Sequence, residues 1–265
     1  MTDYDEVRVE LMRPGQIRGR REKADVAFLP LGSLEWHGVH NPVGTDSVKA
    51  HHICCVAATK LGGGAVFPAL MMALPRDSMF VTTRKGYIEP IARALGTDAE
   101  RVRGVYSHGG MDLQEQWLFY QRMLRMALEN IMGFGFRSVY LLTGHYPLIH
   151  FAEPVAIAFS RAAAMAGRPV TTDWSSEFEA AGLIGDHGGK WETSHMMAIS
   201  PDAVDLGELE RQPEYVDLGA ERNAAEATRE QGEAWIDQCA EAIAREARWL
   251  VEHWPKLPDR HRHRR

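Results

Sequence analysis

Cysteine is scarce. The three present, Cys54, Cys55 and Cys239, are odd in number and two are adjacent, so they make a poor disulfide framework. They read instead as small buried hydrophobes in a reducing compartment. No stretch reaches the roughly 18 uninterrupted apolar residues that a membrane span needs. The acidic N-terminus MTDYDEVRVE lacks the apolar run of a signal peptide. A cytoplasmic location with no membrane partner is therefore expected. Positive charge is in the minority: the formal net charge of -6 argues against nucleic acid, because neutralising phosphates needs a basic face. The one basic cluster, Arg260 to Arg265, is expected to be a frayed, disordered tail. No repeat, low-complexity run or linker marks a boundary, so one domain over residues 1–265 is expected. No Gly-x-Gly-x-x-Gly follows the first apolar run, which ranks a dinucleotide-dependent dehydrogenase last.

What is present is an alternation of short apolar runs and helical periodicity. The 45% apolar fraction suffices for a proper core. Residues 25–34 read as a buried strand running into a loop, and 65–67 as a second short strand. Residues 47–61 hold no helix breaker and end at Gly62-Gly63-Gly64, with Asp46 placed as an N-cap. Leu118, Met123, Leu124, Ala127, Leu128 and Ile131 recur at helical spacing, which predicts a helix over 112–132. Strands over 138–142 and 169–173 alternate with helices over 149–166, 191–199 and 220–253. Residues 70–110, with scattered glycines and prolines, read as an inserted loop or lid. The pattern predicts an α/β fold, a three-layer α/β/α sandwich around a mostly parallel sheet.

The chemistry-bearing residues gather where predicted strands end. Glu35, His37, His40 and Asp46 fall within twelve residues straight after the first strand. In extended chain, residues two apart point the same way, so Glu35 and His37 can share a target. Gly38, Pro42 and Gly44 let the chain turn back and bring Asp46 to it. Each residue alone is more simply a cap, a surface carboxylate or a satisfied histidine; together, at a strand's carboxyl end, they suggest a metal site. Mixed carboxylates and imidazoles suit zinc, manganese or iron better than magnesium. His145 follows the strand over 138–142, behind Gly144, and would lie on the same sheet edge. In the stretch 186–195, His187 sits in a glycine-rich loop, where function is more natural than packing. Glu192 lies in a helix's first turn, and its plainer reading is helix-dipole electrostatics. His195 reads as structural.

These blocks resemble the creatininase (creatinine amidohydrolase) family. Its members show Gly-Ser-x-Glu-x-His-Gly-x-His, then Pro-x-Gly-Thr-Asp, later Gly-His, and later His-x-Gly-x-x-Glu-Thr-Ser. Here these are Gly32 to His40, Pro42 to Asp46, Gly144-His145 and His187 to Ser194. Each block is weak alone, but four in order are specific. The resemblance implies two divalent ions, zinc or manganese first and iron third. Glu35, Asp46 and His145 would hold one, and His37 and a bridging Asp46 the other. The family pattern carries a glutamate two positions after the Gly-His histidine, where this chain has Pro147, and Glu192 is the expected replacement. His187 matches the family's catalytic histidine, with Glu192 beside it. Trp174, Tyr146 and His40 are expected to contact substrate.

The implied activity is metal-dependent hydrolysis, with a metal-activated water attacking the carbonyl of a cyclic or linear amide. One alternative is carbon–carbon ring opening of a keto-inositol (3-dehydro-scyllo-inosose); another is a metal-binding oligomer without turnover. The partner is a small-molecule substrate, and the resemblance implies a homo-oligomer, commonly a hexamer.

Overall fold

Ala27–Leu31 is buried along its whole length, as an apolar run without polar alternation requires. It forms β1, a central strand of the computed structural model, which describes residues 6–72, 86–107, 111–216, 218 and 222–253. Beside it lie β2 (Ala65–Val66), β3 (Ser138–Thr143) and β4 (Thr171–Ser176), in the order β2-β1-β3-β4. Every pairing is parallel. The register aligns Leu31 with Thr143, and Thr143 with Ser176. Three chain segments therefore leave the sheet side by side at its carboxyl edge.

Alternate residues of the strands feed two cores. Leu29, Leu31, Val139 and Leu141 face one way, onto α1 (Pro14–Lys23), α5 (Leu113–Gly133) and α6 (Ile149–Met165). Phe28, Tyr140 and Leu142 face the other way, onto α2 (Thr45–Leu61), α8 (Lys190–Ile199) and α10 (Arg229–Glu252). This is the three-layer sandwich expected from the alternation. Fully buried side chains such as Leu124 and Ile243 each contribute roughly 1.5–3 kcal/mol to it. Tyr146–Met165 is apolar enough by composition to cross a bilayer, at mean hydropathy 1.2. Its Phe151, Val155 and Phe159 instead pack into the first core, the mark of a core helix.

The inserted segment is helical where described. α3 (Ile88–Ala94) and α4 (Ala99–Ser107) build a small separate core in which Ile91, Ala92 and Val102 meet Trp36 and Tyr215. Residues 73–85 and 108–110, and the basic tail, lie outside the described residues.

Three boundaries differ from expectation. α2 starts at Thr45 with Gly44 at its cap, so Asp46 is a helix residue, not an N-cap. Its carboxylate faces Ser33, His37 and His145 rather than its own helix end. α10 begins only at Arg229, where Thr228 Oγ1 accepts the Gln231 amide, and residues 222–226 form a 3-10 turn. β4 runs to Ser176, beyond the expected 173, directly into α7 (Glu177–Ala181). A short helix, α9 (Gly207–Arg211), follows α8.

Candidate metal centre

The carboxyl ends of β1 and β3 sit against the first turn of α2, and two glycines make this possible. A Cβ on Gly32 would collide with the Ser47 backbone, and one on Gly144 with the Asp46 carbonyl. With no side chain there, Asp46 comes up between the loop after β1 and His145 after β3.

Glu35, His37, Asp46, His145 and Glu192 are all buried there. Asp46 is their hub. Its Oδ1 is 3.2 Å from His37 Nε2 and its Oδ2 is 3.1 Å from His145 Nδ1. Ser33 Oγ donates to the same Oδ2. Glu35 Oε1 lies 2.8 Å from His145 Nδ1, 4.0 Å from His37 Nε2 and 3.8 Å from His187 Nδ1. Glu192 Oε2 is 3.5 Å from His37 Nε2. Three overlapping groups result, each with ligand atoms within 4.8 Å of one another: Glu35–Asp46–His145, His37–Asp46–Glu192 and Glu35–His37–His187.

The donor set fits a pair of divalent cations. Among the described residues, neither oxygen of Glu35 has a hydrogen-bond partner despite its burial. Such orphaned acceptors are costly unless something else meets them. His145 Nδ1 and Glu35 Oε1 lie 2.8 Å apart, as when two ligand atoms converge on a shared point. Mixed nitrogen and oxygen donors suit zinc or manganese.

Protons compete for the same atoms. Burial opposes charge on His37, but Asp46, Glu192 and Glu35 outweigh it and raise the imidazole to about 9. Burial likewise opposes charge on His145, yet Glu35 and Asp46 hold it well above the usual histidine range. Burial would raise the Asp46 carboxyl, but the two imidazoles keep it well below the ordinary value.

Backbone contacts orient the rings. His37 Nδ1 is 3.1 Å from the Glu35 carbonyl, so Nδ1–H donates there and Nε2 faces Asp46. His187 Nε2–H donates to the Trp36 carbonyl at 2.8 Å, which turns its Nδ1 lone pair towards Glu35. These contacts select the tautomer. The His187 side chain is 20% exposed, so it can meet both the centre and an incoming molecule. Glu192 is held from two sides, with Gly188 N–H on Oε2 and Lys49 Nζ on Oε1, both at 2.7 Å. Asp186 accepts the amides of Gly189, Trp191 and Glu192 and so caps α8.

A cavity of about 190 Å³ opens onto Asp46, His145, His187 and Glu192, with Tyr146 and Pro147 on its rim. Tyr146 is 41% exposed, and its hydroxyl donates to Glu179. Two of the expected substrate contacts lie elsewhere. His40 Nε2 is 3.0 Å from both the Gly188 carbonyl and Thr193 Oγ1, so it stitches the two metal-site loops together. Burial pushes its imidazole down to about 4. Trp174 is in the middle of β4, packed in the first core, because the strand continues past the expected end. It lines a separate cavity of about 470 Å³ with Asp173 and Glu246. His195 is structural as expected, with Nδ1–H donating to the Trp191 carbonyl at 2.7 Å.

Two residues of the site escaped the sequence reading. Lys49 is buried with its Nζ 2.7 Å from Glu177 Oε1 and 2.7 Å from Glu192 Oε1. Burial opposes its charge, but Glu177, Glu192 and Asp46 keep it firmly protonated. Its signal was the three-residue spacing from Asp46, which puts both on one helix face. Glu177 follows β4 and is level with Gly144 through the Thr143–Ser176 pairing, a register that sequence does not display.

A family model described as Creatininase: Creatinine amidohydrolase matches residues 10–247. A creatinine amidohydrolase of Pseudomonas putida is 26% identical over 250 residues, covering 83% of this chain and 87% of the relative. Among solved structures, the manganese form of a creatininase superposes with TM-score 0.67 at 22% identity, covering 93% of this chain and 99% of the other. A variant creatininase of zinc–zinc type gives TM-score 0.69 at 22% identity, covering 93% and 98%. Since the match spans the strands, the Asp46 hub and the His187–Glu192 loop together, the chain belongs to the creatininase family.

Proposed function

We propose that this protein is a metal-dependent amidohydrolase that opens the carbon–nitrogen bond of a cyclic or linear amide. The observation that carries the reading is Asp46, whose two oxygens each face a different imidazole beside a different glutamate. Glu35, Asp46 and His145 would hold one divalent ion, and His37, Asp46 and Glu192 the other, with zinc or manganese preferred. Bound there, such a pair supplies Lewis acidity to a carbonyl oxygen and brings the pKa of a solvent molecule towards neutrality. Glu192 takes the place of the carboxylate absent at Pro147, and Lys49 with Gly188 fixes which oxygen it turns to the centre. His187 Nδ1, its lone pair kept free by the bond from Nε2–H to the Trp36 carbonyl, would take the proton released by the attacking water and pass it to the leaving nitrogen. Asp186 holds the amino end of α8 so that His187 and Glu192 keep their separation.

Creatinine, the substrate in the names of the relatives, is the first compound to test. Metal-loaded protein is expected to hydrolyse it or a related cyclic amide. His187→Ala should retain both metals and lose about 10²–10⁴-fold in kcat, the usual share of general acid–base catalysis. Turnover that survives intact in His187→Ala removes that role. Carbon–carbon ring opening of a keto-inositol is the second reading, favoured by Pro147, which stands where the family pattern carries a glutamate. A screen of both substrate groups separates the two. Two bound metal equivalents with no turnover of any carbonyl compound would make the chain a non-catalytic metal-binding protein. Homo-oligomeric assembly belongs to the same reading, and light scattering that gives a monomer mass counts against it.

A further inference from the structure

Among the buried carboxylates near the centre, Glu177 has an oxygen that the metal reading leaves unused. The residue is 1% exposed yet lines the cavity that opens onto Asp46 and His187. Its Oε1 is 2.7 Å from Lys49 Nζ, whereas among the described residues no hydrogen-bond donor meets Oε2. Glu192, the other carboxylate on the same ammonium, has both oxygens engaged: Oε1 by Lys49, and Oε2 by the Gly188 amide. One cation thus serves two carboxylates, and Glu177, which lines the cavity, is left with one oxygen unmet among the described residues. A buried acceptor of this kind requires a donor.

We propose that Glu177 is a specificity residue whose Oε2 accepts a hydrogen bond from an N–H donor on the substrate, near the carbonyl addressed by the metal centre. This rests on the hydrolytic reading above and adds a substrate class to it: carbonyl compounds carrying an amine, amidine or amide N–H a few bonds away. By occupying Oε1, Lys49 fixes the oxygen presented. Glu177→Gln inverts the site. An ammonium only donates, so the amide oxygen stays on Lys49 and the NH₂ group turns to the cavity, replacing an acceptor with a donor.

The test uses full-length, zinc-loaded protein and two hydroxamates that anchor on the metals, β-alanine hydroxamate and butyrohydroxamate. They match in length and differ by a terminal ammonium in place of a methyl. Calorimetry on the unaltered protein should show the ammonium compound binding about tenfold tighter or more, the scale of a charge-assisted hydrogen bond. In Glu177→Gln the preference should vanish, with zinc content and butyrohydroxamate affinity unchanged. A ratio near one in the unaltered protein means that Oε2 is met only by water and overturns the proposal, as does a preference for the methyl compound. An unchanged ratio in the variant, or an equal loss of both ligands, also overturns it. If Glu177→Gln fails to fold, the ratio in the unaltered protein still decides. Failure of both hydroxamates to bind would instead sink the metal centre itself, so the two failures are distinguishable.

Discussion

At the scale of single residues, Asp46 and Glu192 differ in what they hold together. Asp46 belongs to two of the ligand groups, Glu192 to one. Asp46→Ala is therefore expected to abolish binding of both metals, and Glu192→Ala to leave one equivalent, read by metal analysis after dialysis. Retention of two equivalents by Asp46→Ala would remove the bridge. Ser33 donates to Asp46 Oδ2 without itself facing the cavity. Ser33→Ala should weaken metal affinity by about 10–100-fold, the usual effect of losing a group that orients a ligand, measured by competition with a chromogenic chelator. Glu35 and His37 were legible in sequence because period-two spacing in extended chain is a local rule. His40 obeys no such rule: its neighbours Gly188 and Thr193 are about 150 positions away in the chain, and those contacts made it structural.

Among the secondary-structure elements, the centre depends on how closely the strand ends approach α2. Gly144 is in contact with the first turn of that helix, and a Cβ there would overlap the Asp46 carbonyl and the Ala50 side chain. Gly144→Ala is expected to cost about 1–3 kcal/mol through overpacking, lowering Tm by several degrees, and to weaken metal binding as Asp46 is pushed back. Undiminished metal affinity in a destabilised variant would show that the contact serves packing alone. The long helices and the existence of strands near 138–142 and 169–173 were readable because apolar periodicity and the glycine stops act locally, although β4 runs on to Ser176. The starts of α2 and α10 were misjudged because a cap is decided by where the side chain points. Asp46 points away from its helix, while Thr228 caps α10.

Across the whole molecule, the buried histidines set a pH optimum for the metal-free protein. Burial holds His40 at about 4 and His195 at about 3. Each contributes stability above its unfolded value near 6.5 that is lost as pH falls towards the folded value. His37, raised to about 9, and His145, also raised, contribute stability that is complete below 6.5 and lost as pH climbs through their folded values. Asp186, raised to about 6 by burial and by Glu192, offsets part of the acid-side loss. In chelator, Tm should peak near pH 6.5 and fall on both sides. Metal at 100 times its Kd adds about 2.7 kcal/mol per site and should flatten the alkaline limb, since the ion replaces the protons on His37 and His145. A monotonic Tm profile in calorimetry would contradict these assignments.

The sequence by itself determined the strands and the long helices, their alternation and hence the parallel α/β sandwich, along with the short motifs that bear the ligands. All of these follow from rules that act over a few residues. Tertiary structure decided the rest. Strand order and register brought Glu35, His145 and Glu177 to one edge, buried Lys49 between two carboxylates, and enclosed Trp174 in the core instead of over the cavity. Those outcomes depend on distances between segments up to about 150 residues apart, which no local pattern encodes.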